Sequence, residues 1–280
     1  MSRRYELLDS GDQIKLERVG DVLLTRPAPQ AFWPRSLPPA EWDRAQGIYE
    51  RNSSGGGRWV WKRKPPASWE IDYAGFRVIV KTTDFGHLGF FPEQADNWAR
   101  GRALAGKYQG AKVLNLFGYS GLMSMALAEG GASVCHVDAA RGMVEWGNAI
   151  HALNRQVPNA IRWIVDDALK FAKREARRQS FYDAILLDPP KFGRGPNGEV
   201  WEFYKYLPNL LQACEEVLSP QASFLLLTAY AVKASALTLL RATQEKLQTH
   251  GGIITAGELV QQETGSQKYL SRAIYALWEK

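Results

Sequence analysis

The fold is decided by the segment Lys112–Asp138, which reads Lys-Val-Leu-Asn-Leu-Phe-Gly-Tyr-Ser-Gly-Leu-Met-Ser-Met-Ala-Leu-Ala-Glu-Gly-Gly-Ala-Ser-Val-Cys-His-Val-Asp. Its apolar start predicts a strand, the glycine-containing turn comes next, and Leu122–Glu129 is rich in good helix formers. Gly130 and Gly131 end that helix, and a second apolar strand carries Asp138 at its carboxyl end. A β-α-β unit with glycines in its first turn and an acid about 20 residues later is typical of a nucleotide-type site.

In such a unit the glycines let the backbone approach a ligand, and the start of the helix offers free N–H groups. The acid after the second strand can accept hydrogen bonds from the two hydroxyls of a ribose. The ligand is not fixed by this plan, because neither Gly-x-Gly-x-x-Gly nor a phosphate loop ending in Gly-Lys-Ser/Thr is present. The alternative is a plain parallel-sheet turn closed by a helix-stopping glycine pair.

Strands and helices continue to alternate after Asp138, at the spacing of βαβ units. The pattern predicts an α/β fold with a doubly wound, Rossmann-like sheet, closed by an antiparallel pair over Ile253–Leu259 and Ala273–Trp278. In such sheets ligands bind beyond the carboxyl ends of the strands. Four polar side chains fall at or just after such ends, and we expect them to converge: Asn115, Asp138, Asp167 and Asp188.

The most specific motif follows the strand predicted over Tyr182–Leu187, and it consists of Asp188, Pro189, Pro190, Lys191 and Phe192. Its prolines lack N–H donors and have a fixed φ, so the loop is stiff. The acid and the first proline carbonyl can accept hydrogen bonds from an amino group, the phenyl ring can stack on a planar ring, and Lys191 and Arg194 can meet phosphate. This set suits a flipped-out base held in a pocket. The alternative is a rigid strand exit with a core Phe.

The first hundred residues show a different pattern, in which short predicted strands such as Tyr5–Leu8 and Lys15–Val19 are separated by turns. A short helix is predicted over Glu41–Arg51. We therefore expect a small β-rich domain over residues 1–92, with a capacity for RNA binding, and a catalytic domain over residues 93–280.

Within the first domain, the stretch Arg51–Trp69 contains cations and tryptophans but no acid. Cations meet phosphates and aromatic faces stack on unpaired bases, so the stretch predicts an RNA surface. The alternative is a solvated loop whose tryptophans fill a seam of the domain. The candidate RNA-contacting residues are Arg58, Trp59, Trp61, Lys62, Arg63 and Lys64.

Composition limits the class of protein. No apolar run is long enough to cross a bilayer and the start lacks the apolar core of a secretion signal, so we expect a cytoplasmic protein. The two cysteines, Cys135 and Cys214, form neither a disulfide framework nor a zinc site, and no metal is expected. The formal net charge of +6 permits a polyanionic partner without proving one.

A family resemblance rests on four motifs and on the segment that precedes them. They are Asn115-Leu-Phe-Gly-Tyr-Ser-Gly, Asp138, Asp166-Asp167-Ala, Asp188-Pro-Pro-Lys-Phe and, upstream, Gly86-His-Leu-Gly-Phe-Phe-Pro-Glu-Gln-Ala-Asp-Asn-Trp. Together they resemble class I S-adenosylmethionine-dependent methyltransferases, and more narrowly the bacterial 23S rRNA methyltransferases that modify cytosine C5 or guanine N7. The likeness covers roughly residues 84 to 230 well.

The resemblance implies S-adenosylmethionine as the cofactor. It implies that the turn after the first strand cradles the methionine end, that Asp138 binds the ribose hydroxyls, and that Asp167, or else Asp166, faces the adenine. The implied cofactor set is Phe91, Gln94, Asn115, Phe117, Gly118, Tyr119, Gly121, Asp138, Asp166 and Asp167. The implied transfer site is Asp188, Pro189, Pro190 and Phe192.

One departure bears on the target atom. Methylation of cytosine C5 needs a cysteine nucleophile, which the C5 members of the family place just after the strand corresponding to Ser223–Thr228. This chain reads Thr228-Ala-Tyr-Ala-Val there, which argues against C5 chemistry. A base nitrogen has its own lone pair, so the predicted function is methylation of a nitrogen in RNA, ribosomal RNA first. The alternatives are a methyltransferase for a protein side chain or a small aromatic metabolite, a catalytically silent RNA-binding module and, third, a nicotinamide dehydrogenase.

Overall fold

The computed structural model describes residues 4–52, 56–158 and 160–280. Their contacts divide them into two compact units. The first unit holds the described residues up to Ala95 together with Val260–Arg272, and the second holds Asp96–Leu259 and Ala273–Lys280. The return of Val260–Arg272 to the first unit had no counterpart in the sequence analysis, and the domain boundary after residue 92 stays a prediction.

The first unit is built on a five-stranded sheet in the order β1-β2-β3-β4-β5, with a separate antiparallel hairpin β6-β7. A 3-10 turn over Pro92–Gln94 follows these strands. The elements are β1 Tyr5–Gly11, β2 Ile14–Val19, β3 Val22–Pro27, helix α1 Pro39–Asp43, β4 Gly47–Arg51, β5 Gly57–Trp61, β6 Trp69–Tyr73 and β7 Phe76–Val80.

A long-range contact explains why a C-terminal segment belongs to the first unit. Gln261 Nε2 donates to the hydroxyl of Tyr5 at 2.8 Å, and the backbone N–H of Thr264 donates to the Leu7 carbonyl at 2.8 Å. Residues on β1 are thus bonded to residues more than 250 positions away. Local sequence patterns carry no information about such a pairing.

The helix predicted over Glu41–Arg51 is wrong after its first three residues, because α1 ends at Asp43 and the chain re-enters the sheet as β4. Tyr49 of β4 is paired with Trp59 of β5, and their rings lie 5.3 Å apart. Cross-strand aromatic packing decides the conformation here over local helix propensity. The run Asn-Ser-Ser-Gly-Gly-Gly over residues 52–57 predicts a mobile loop by composition, and its residues 53–55 lie outside the described residues.

The second unit alternates helices and strands as the sequence predicts, and the predicted doubly wound α/β class is confirmed. Its elements are α2 Ala95–Lys107, β8 Lys112–Leu116, α3 Leu122–Glu129, β9 Ser133–Asp138, α4 Arg141–Leu153, β10 Ile161–Val165, α5 Ala168–Arg177, β11 Ala184–Leu187, β12 Phe192–Arg194, β13 Val200–Glu202, α6 Phe203–Glu216, β14 Phe224–Tyr230, α7 Ala236–Leu247, β15 Ile253–Gln262 and β16 Tyr269–Glu279. The end of β15 and the start of β16 belong to the segment Val260–Arg272 of the first unit.

The sheet of this unit has the strand order β10-β9-β8-β11-β14-β16-β15. Strands β10, β9, β8, β11 and β14 are parallel neighbours, whereas β16 runs antiparallel to β14. From β8 the chain builds outward to β10 and then returns to the other side of β8 as β11. This reversal opens a crevice at the carboxyl ends of β8 and β11, where ligands bind in sheets of this kind.

The core of the second unit lies on both faces of the sheet. Leu114, Leu116, Ile185 and Leu187 are fully or almost fully buried between the helix layers, as continuous apolar runs in parallel strands require. In the part of the chain that the structure describes, no helix is both long and apolar enough to cross a membrane.

Candidate active site

The turn between β8 and α3 has an unusual backbone. Phe117, Tyr119 and Gly121 adopt φ values of 58°, 53° and 79°, in the left-handed region. For the two aromatic residues this conformation stores strain of about 1–3 kcal/mol each, and such strain concentrates where a ligand must be gripped. The turn is closed by the N–H of Gly118, which donates to the Val137 carbonyl at 3.0 Å.

The glycines of this turn are required by the protein itself. A Cβ on Gly118 would lie 2.4 Å from Cε1 of His136, and a Cβ on Gly121 would lie 2.3 Å from the ring of Trp163. The sequence analysis attributed both glycines to the approach of a ligand. The structure adds a second reason, since aromatic rings of β9 and β10 occupy the space that side chains would need.

A series of buried side-chain hydrogen bonds lies beneath the turn and supports it. Asn115 Nδ2 donates to Ser124 Oγ at 2.8 Å, and Ser124 Oγ lies 3.0 Å from His136 Nδ1. Burial lowers the pKa of His136 to about 3, so the ring is neutral at pH 7. The amide of Asn115 therefore joins β8 to α3, and its contact with a cofactor stays a prediction.

Asp138 connects the end of β9 to the same turn. Its Oδ2 accepts the N–H of Tyr119 at 2.8 Å, and its Oδ1 accepts the N–H of Ala140 at 2.8 Å. Burial raises the pKa of this carboxyl, and the two backbone bonds oppose that shift. Each oxygen keeps a lone pair for another donor, so the carboxylate fits a pair of ribose hydroxyls.

The two acids after β10 have different partners. Asp166 forms an ion pair with Arg174 and accepts the N–H of Asp167 at 2.8 Å. Asp167 caps α5, with its Oδ1 accepting the N–H of Lys170 at 2.8 Å. Both oxygens of Asp166 thus already accept a hydrogen bond from the protein, and the assignment of the adenine to Asp167, or else to Asp166, stays a prediction.

Asp188 follows β11 directly and lies level with the turn after β8, because Leu187 is paired with Leu116 on one side and with Leu227 on the other. The hydroxyl of Thr228, a buried residue of β14, donates to Asp188 Oδ1. This bond fixes one oxygen of the carboxylate at the carboxyl edge of the sheet. The sequence analysis noted Thr228 only as the place of an absent cysteine and missed its bond to Asp188.

The proline loop leads into a small hairpin, β12–β13, that the sequence analysis also missed because its strands are only three residues long. Phe192 begins the hairpin and is 66% exposed, so it is not a core residue. Pro189 is buried and Pro190 is exposed. Lys191 Nζ lies 5.6 Å from the centre of the Phe192 ring, and the Arg194 side chain is exposed.

Trp201 of β13 links the hairpin to both halves of the site. Its indole N–H donates to the Pro190 carbonyl at 2.7 Å, and its ring lies 5.0 Å from that of Phe117. The hairpin tip is tied to α5 by an ion pair between Glu199 and Lys170. The separation of Trp201 from the motif hid this link from sequence reasoning.

Neither cysteine replaces the missing nucleophile. Cys135 lies in β9 and Cys214 in α6, both buried, and burial raises the pKa of each thiol. A thiolate is therefore disfavoured at both positions near neutral pH.

The remaining candidate residues lie in the first unit, which is described by itself. Phe91 contacts the ring of His87 at 5.3 Å between centroids, and Gln94 is buried in the 3-10 turn. Their cover of a cofactor stays a prediction.

In the β4–β5 pair the aromatic and cationic candidates separate by face. Trp59 and Trp61 are half-buried and stacked at 5.1 Å and 15°, whereas Arg58 is exposed and pairs with Glu50 at 3.0 Å. Lys62, Arg63 and Lys64 are also exposed, and Lys62 Nζ donates to the Asp43 carbonyl at 2.7 Å.

Comparison with known proteins places this geometry in a family. The family model for S-adenosylmethionine-dependent methyltransferases matches residues 39–248 of the 280. The crystal structure of the SAM-dependent methyltransferase from Agrobacterium tumefaciens has a TM-score of 0.93 at 40% identity, covering 98% of this chain and 90% of that chain. The chain belongs to the S-adenosylmethionine-dependent methyltransferases, and the predicted family and cofactor are confirmed.

More distant relatives match only in part. Ribosomal RNA large subunit methyltransferase K/L from Vibrio cholerae is 34% identical over 131 residues, which is 46% of this chain and 18% of that protein. Ribosomal RNA large subunit methyltransferase I from Tolumonas auensis is 32% identical over 120 residues, or 42% of this chain and 29% of the relative. The matches thus span less than a third of these relatives. A putative methyltransferase solved in complex with SAH, at 21% identity and a TM-score of 0.70 over 98% of this chain and 75% of that chain, shares the fold.

Proposed function

We propose that this chain transfers the methyl group of S-adenosylmethionine to a nitrogen of a base in ribosomal RNA. The observation that carries the choice of atom is the bond from Thr228 to Asp188, on β14, the strand after which the C5 members of the family place their cysteine. The names of the curated relatives, ribosomal RNA methyltransferases, support the choice of substrate. Ribosomal RNA as substrate also makes the cytoplasm the proposed location.

The residues around the crevice fit the cofactor. Asp138, with one N–H on each oxygen, is proposed to accept the ribose hydroxyls, and Asp167 to accept from the adenine amine. The strained turn over residues 117–121 is proposed to hold the methionine end. When bound, S-adenosylmethionine supplies an electrophilic methyl group, whose bond to sulfur breaks as the bond to nitrogen forms.

The acceptor side of the reaction is assigned to the proline loop. Asp188, held by Thr228, accepts a hydrogen bond from the amine, orients its lone pair towards the methyl group and takes up the proton that the methylated nitrogen releases. Phe192 stacks on the base, and the stiff proline pair keeps the two groups in register. Catalysis is then by positioning and electrostatic preorganisation, without a covalent enzyme intermediate.

The test is methyl transfer from labelled S-adenosylmethionine to ribosomal RNA, followed by digestion and identification of the labelled nucleoside. We expect an N-methylated base from the wild-type protein. Asp188→Asn, which keeps the shape and removes the charge, should lower turnover by about 100-fold. Calorimetric titration with S-adenosylhomocysteine should show unchanged affinity in that variant.

Three results would contradict the proposal in different ways. Labelled 5-methylcytosine would overturn the choice of atom, and label in protein or in a small aromatic compound would overturn the RNA acceptor. A folded wild-type protein that binds no S-adenosylhomocysteine would favour a silent RNA-binding module.

The RNA acceptor is tested separately through the exposed cations of the first unit. The double variant Arg58→Ala and Lys62→Ala should weaken RNA binding and reduce the slope of log K against log salt by about 1–2, because about one counterion is released per phosphate contact. Arg77→Ala is the matched control, since Arg77 is likewise exposed and pairs with Glu70 at 3.8 Å on the separate β6–β7 hairpin. A salt-independent affinity in the wild-type protein would contradict RNA binding.

A further inference from the structure

A tight turn over Thr83–His87 in the first unit presents one exposed aromatic ring. The turn closes on itself, because the N–H of Gly86 donates to the Thr83 carbonyl at 3.0 Å and the N–H of His87 donates to Thr83 Oγ1 at 3.0 Å. At its tip stands Phe85, which is 64% exposed. Single exposed apolar side chains are common on proteins and need no explanation by themselves.

Phe85 differs from an ordinary exposed apolar residue because three side-chain hydrogen bonds hold its turn. Side chains from β3, β4 and β5 each donate to a backbone carbonyl of the turn: Arg26 to Gly86 at 2.8 Å, Tyr49 to Asp84 at 2.8 Å, and Trp59 to Thr83 at 3.0 Å. The donors are themselves held. Arg26 makes a bidentate pair with the buried Glu17, at 2.6 and 2.9 Å, and the ring of Trp59 is stacked on Trp61.

The turn also requires a glycine at position 86. Gly86 has a φ of 75°, and a Cβ there would lie 2.7 Å from the ring of Tyr49. A turn with this many fixed carbonyls loses little freedom when a partner binds. Binding to a preorganised aromatic ring therefore avoids the ordering cost that weakens contacts from mobile loops.

One exposed cation shares the strand face that meets the turn. Arg51 at the end of β4 lies on the same face as Tyr49, whereas Arg58 pairs with Glu50 on the other face. Burial, with the nearby Arg26, Arg51 and Arg272, lowers the pKa of His87 to about 4, so this side chain is neutral at pH 7. Asp84 is the exposed acid of the turn and is the opposing charge.

We propose that Phe85 is a stacking platform for an unpaired base of the RNA substrate, with Arg51 contacting an adjacent phosphate. The proposal rests on the RNA acceptor proposed above and adds where a single-stranded part of that RNA is held. The proposal also changes the role of the tryptophans of β5, which the composition of the stretch Arg51–Trp69 predicts to stack on bases. Trp59 contributes its N–H to fix the turn, and Phe85 presents the free aromatic face.

The test uses a short single-stranded RNA that carries the fluorescent base 2-aminopurine, whose emission is quenched when it stacks. Phe85→Ala should lower affinity by about ten-fold or more and abolish the quenching, because base–aromatic stacking has that magnitude. Phe85→Trp should retain both, and Phe85→Leu, which is apolar without a π face, should resemble Phe85→Ala. Since none of these changes removes a charge, the salt dependence of binding should stay the same.

Phe32 supplies the matched control. It lies in the same unit, is 84% exposed and tilts against Trp33 with 5.7 Å between centroids. Phe32→Ala should therefore leave RNA affinity and quenching unchanged. Asp84→Asn should raise the affinity by about two-fold, because it removes a negative charge from an exposed, screened site.

Two outcomes overturn the stacking role. Wild-type affinity in Phe85→Ala removes Phe85 from the interface, and wild-type affinity in Phe85→Leu means an apolar contact, as with a protein partner, instead of a stacked base. If the wild-type protein methylates RNA while Phe85→Ala behaves normally, only this inference fails. If the wild-type protein neither binds nor methylates RNA, the RNA acceptor fails with it.

Discussion

At the scale of single residues, Gly118 shows how tightly the turn over residues 117–121 is packed. The ring of His136 lies directly behind it and is fixed by its bond to Ser124. The neutral, buried imidazole cannot move without breaking the chain that runs to Asn115. Packing against the His136 ring therefore sets the shape of the turn in the absence of a ligand.

Gly118→Ala should accordingly destabilise the protein by about 1–3 kcal/mol, the usual cost of overpacking. It should also weaken S-adenosylhomocysteine binding, because the backbone of the turn must shift. Denaturant unfolding and calorimetric titration measure the two effects.

The control for this prediction is Gly142→Ala. Gly142 lies in α4, and a Cβ there meets no atom of the described chain within 4 Å. Its stability should be unchanged or higher, by up to about 1 kcal/mol, because Ala is the better helix former. Equal losses in both variants would show that the His136 ring is not the obstacle.

Thr228 is the second residue whose part became visible only in the structure. Thr228→Val keeps the size of the side chain but removes the hydroxyl that donates to Asp188. We expect turnover to fall by about ten- to 100-fold, because a misoriented acceptor contact costs that much in a positioned reaction. Affinity for S-adenosylhomocysteine should not change.

Thr243→Val makes the same replacement elsewhere in the second unit. Thr243 is buried in α7, and its hydroxyl has no hydrogen-bond partner among the described residues. Removing an unsatisfied buried hydroxyl should leave turnover intact and stability equal or higher. Normal turnover in Thr228→Val would show that Asp188 needs no support from β14.

At the scale of elements, the β12–β13 hairpin joins the proline loop over residues 188–192 to the turn over residues 117–121, because Trp201 contacts both. It is fastened at its base by the bond from Trp201 to Pro190 and at its tip by the Glu199–Lys170 pair. The hydrogen bond from Lys170 lowers the pKa of Glu199 to about 2, with backbone bonds in support. The tip contact is exposed on the lysine side, so the base contact should dominate.

Trp201→Phe removes the indole N–H while keeping an aromatic ring against Phe117. We expect turnover to fall by about ten-fold, since the position of Phe192 loosens. The affinity for S-adenosylhomocysteine should be largely kept. Steady-state kinetics should place the change in kcat more than in KM for the cofactor.

Trp278→Phe is a closely matched control for this prediction. The indole of Trp278 donates to the Gly251 carbonyl at 2.6 Å, and the side chain is buried at β16. Both variants should lose about 0.5–1.5 kcal/mol of stability with the hydrogen bond. A turnover loss of the same size in Trp278→Phe would mean that general destabilisation, not hairpin position, explains the effect.

At the scale of the whole molecule, each unit holds a histidine that is kept neutral. Burial lowers the pKa of His87 to about 4 in the first unit and that of His136 to about 3 in the second. Both folded-state values lie below the value of about 6.5 expected in an unfolded chain. Between these limits the unfolded chain binds a proton that the folded chain does not, so stability is full above pH 6.5 and decreases on acidification.

We therefore expect the free energy of unfolding to decrease between pH 6.5 and 4, by up to about 1.4 kcal/mol per pH unit for each histidine. His87→Gln should reduce this slope, and His250→Gln, a change at a half-buried residue, serves as its control. Urea unfolding at a series of pH values measures the slopes. A slope in His87→Gln as steep as in the wild-type protein would contradict the assignment for the first unit.

Sequence patterns determined the part of this protein that depends on local order. The β-α-β segment and the alternation that follows it were sufficient to predict the doubly wound sheet, and the family was predicted from the resemblance of its motifs. Strand ends in a parallel sheet share one edge by geometry, so Asp138, Asp167 and Asp188 could be assigned to one rim without coordinates. The cofactor followed from the same residues through the resemblance.

Tertiary structure alone decided features that depend on partners distant in the chain. The rings behind Gly118 and Gly121, the bond from Thr228 to Asp188 and the return of Val260–Arg272 to the first unit all join residues that no local pattern relates. The same holds for Trp59. The composition of the stretch Arg51–Trp69 predicted a stacking surface, whereas the indole N–H of Trp59 donates to the turn over Thr83–His87. Side-chain bonds and close packing form only after the chain has folded, which is why the sequence predicts where the candidate site lies and the fold determines how its residues are held.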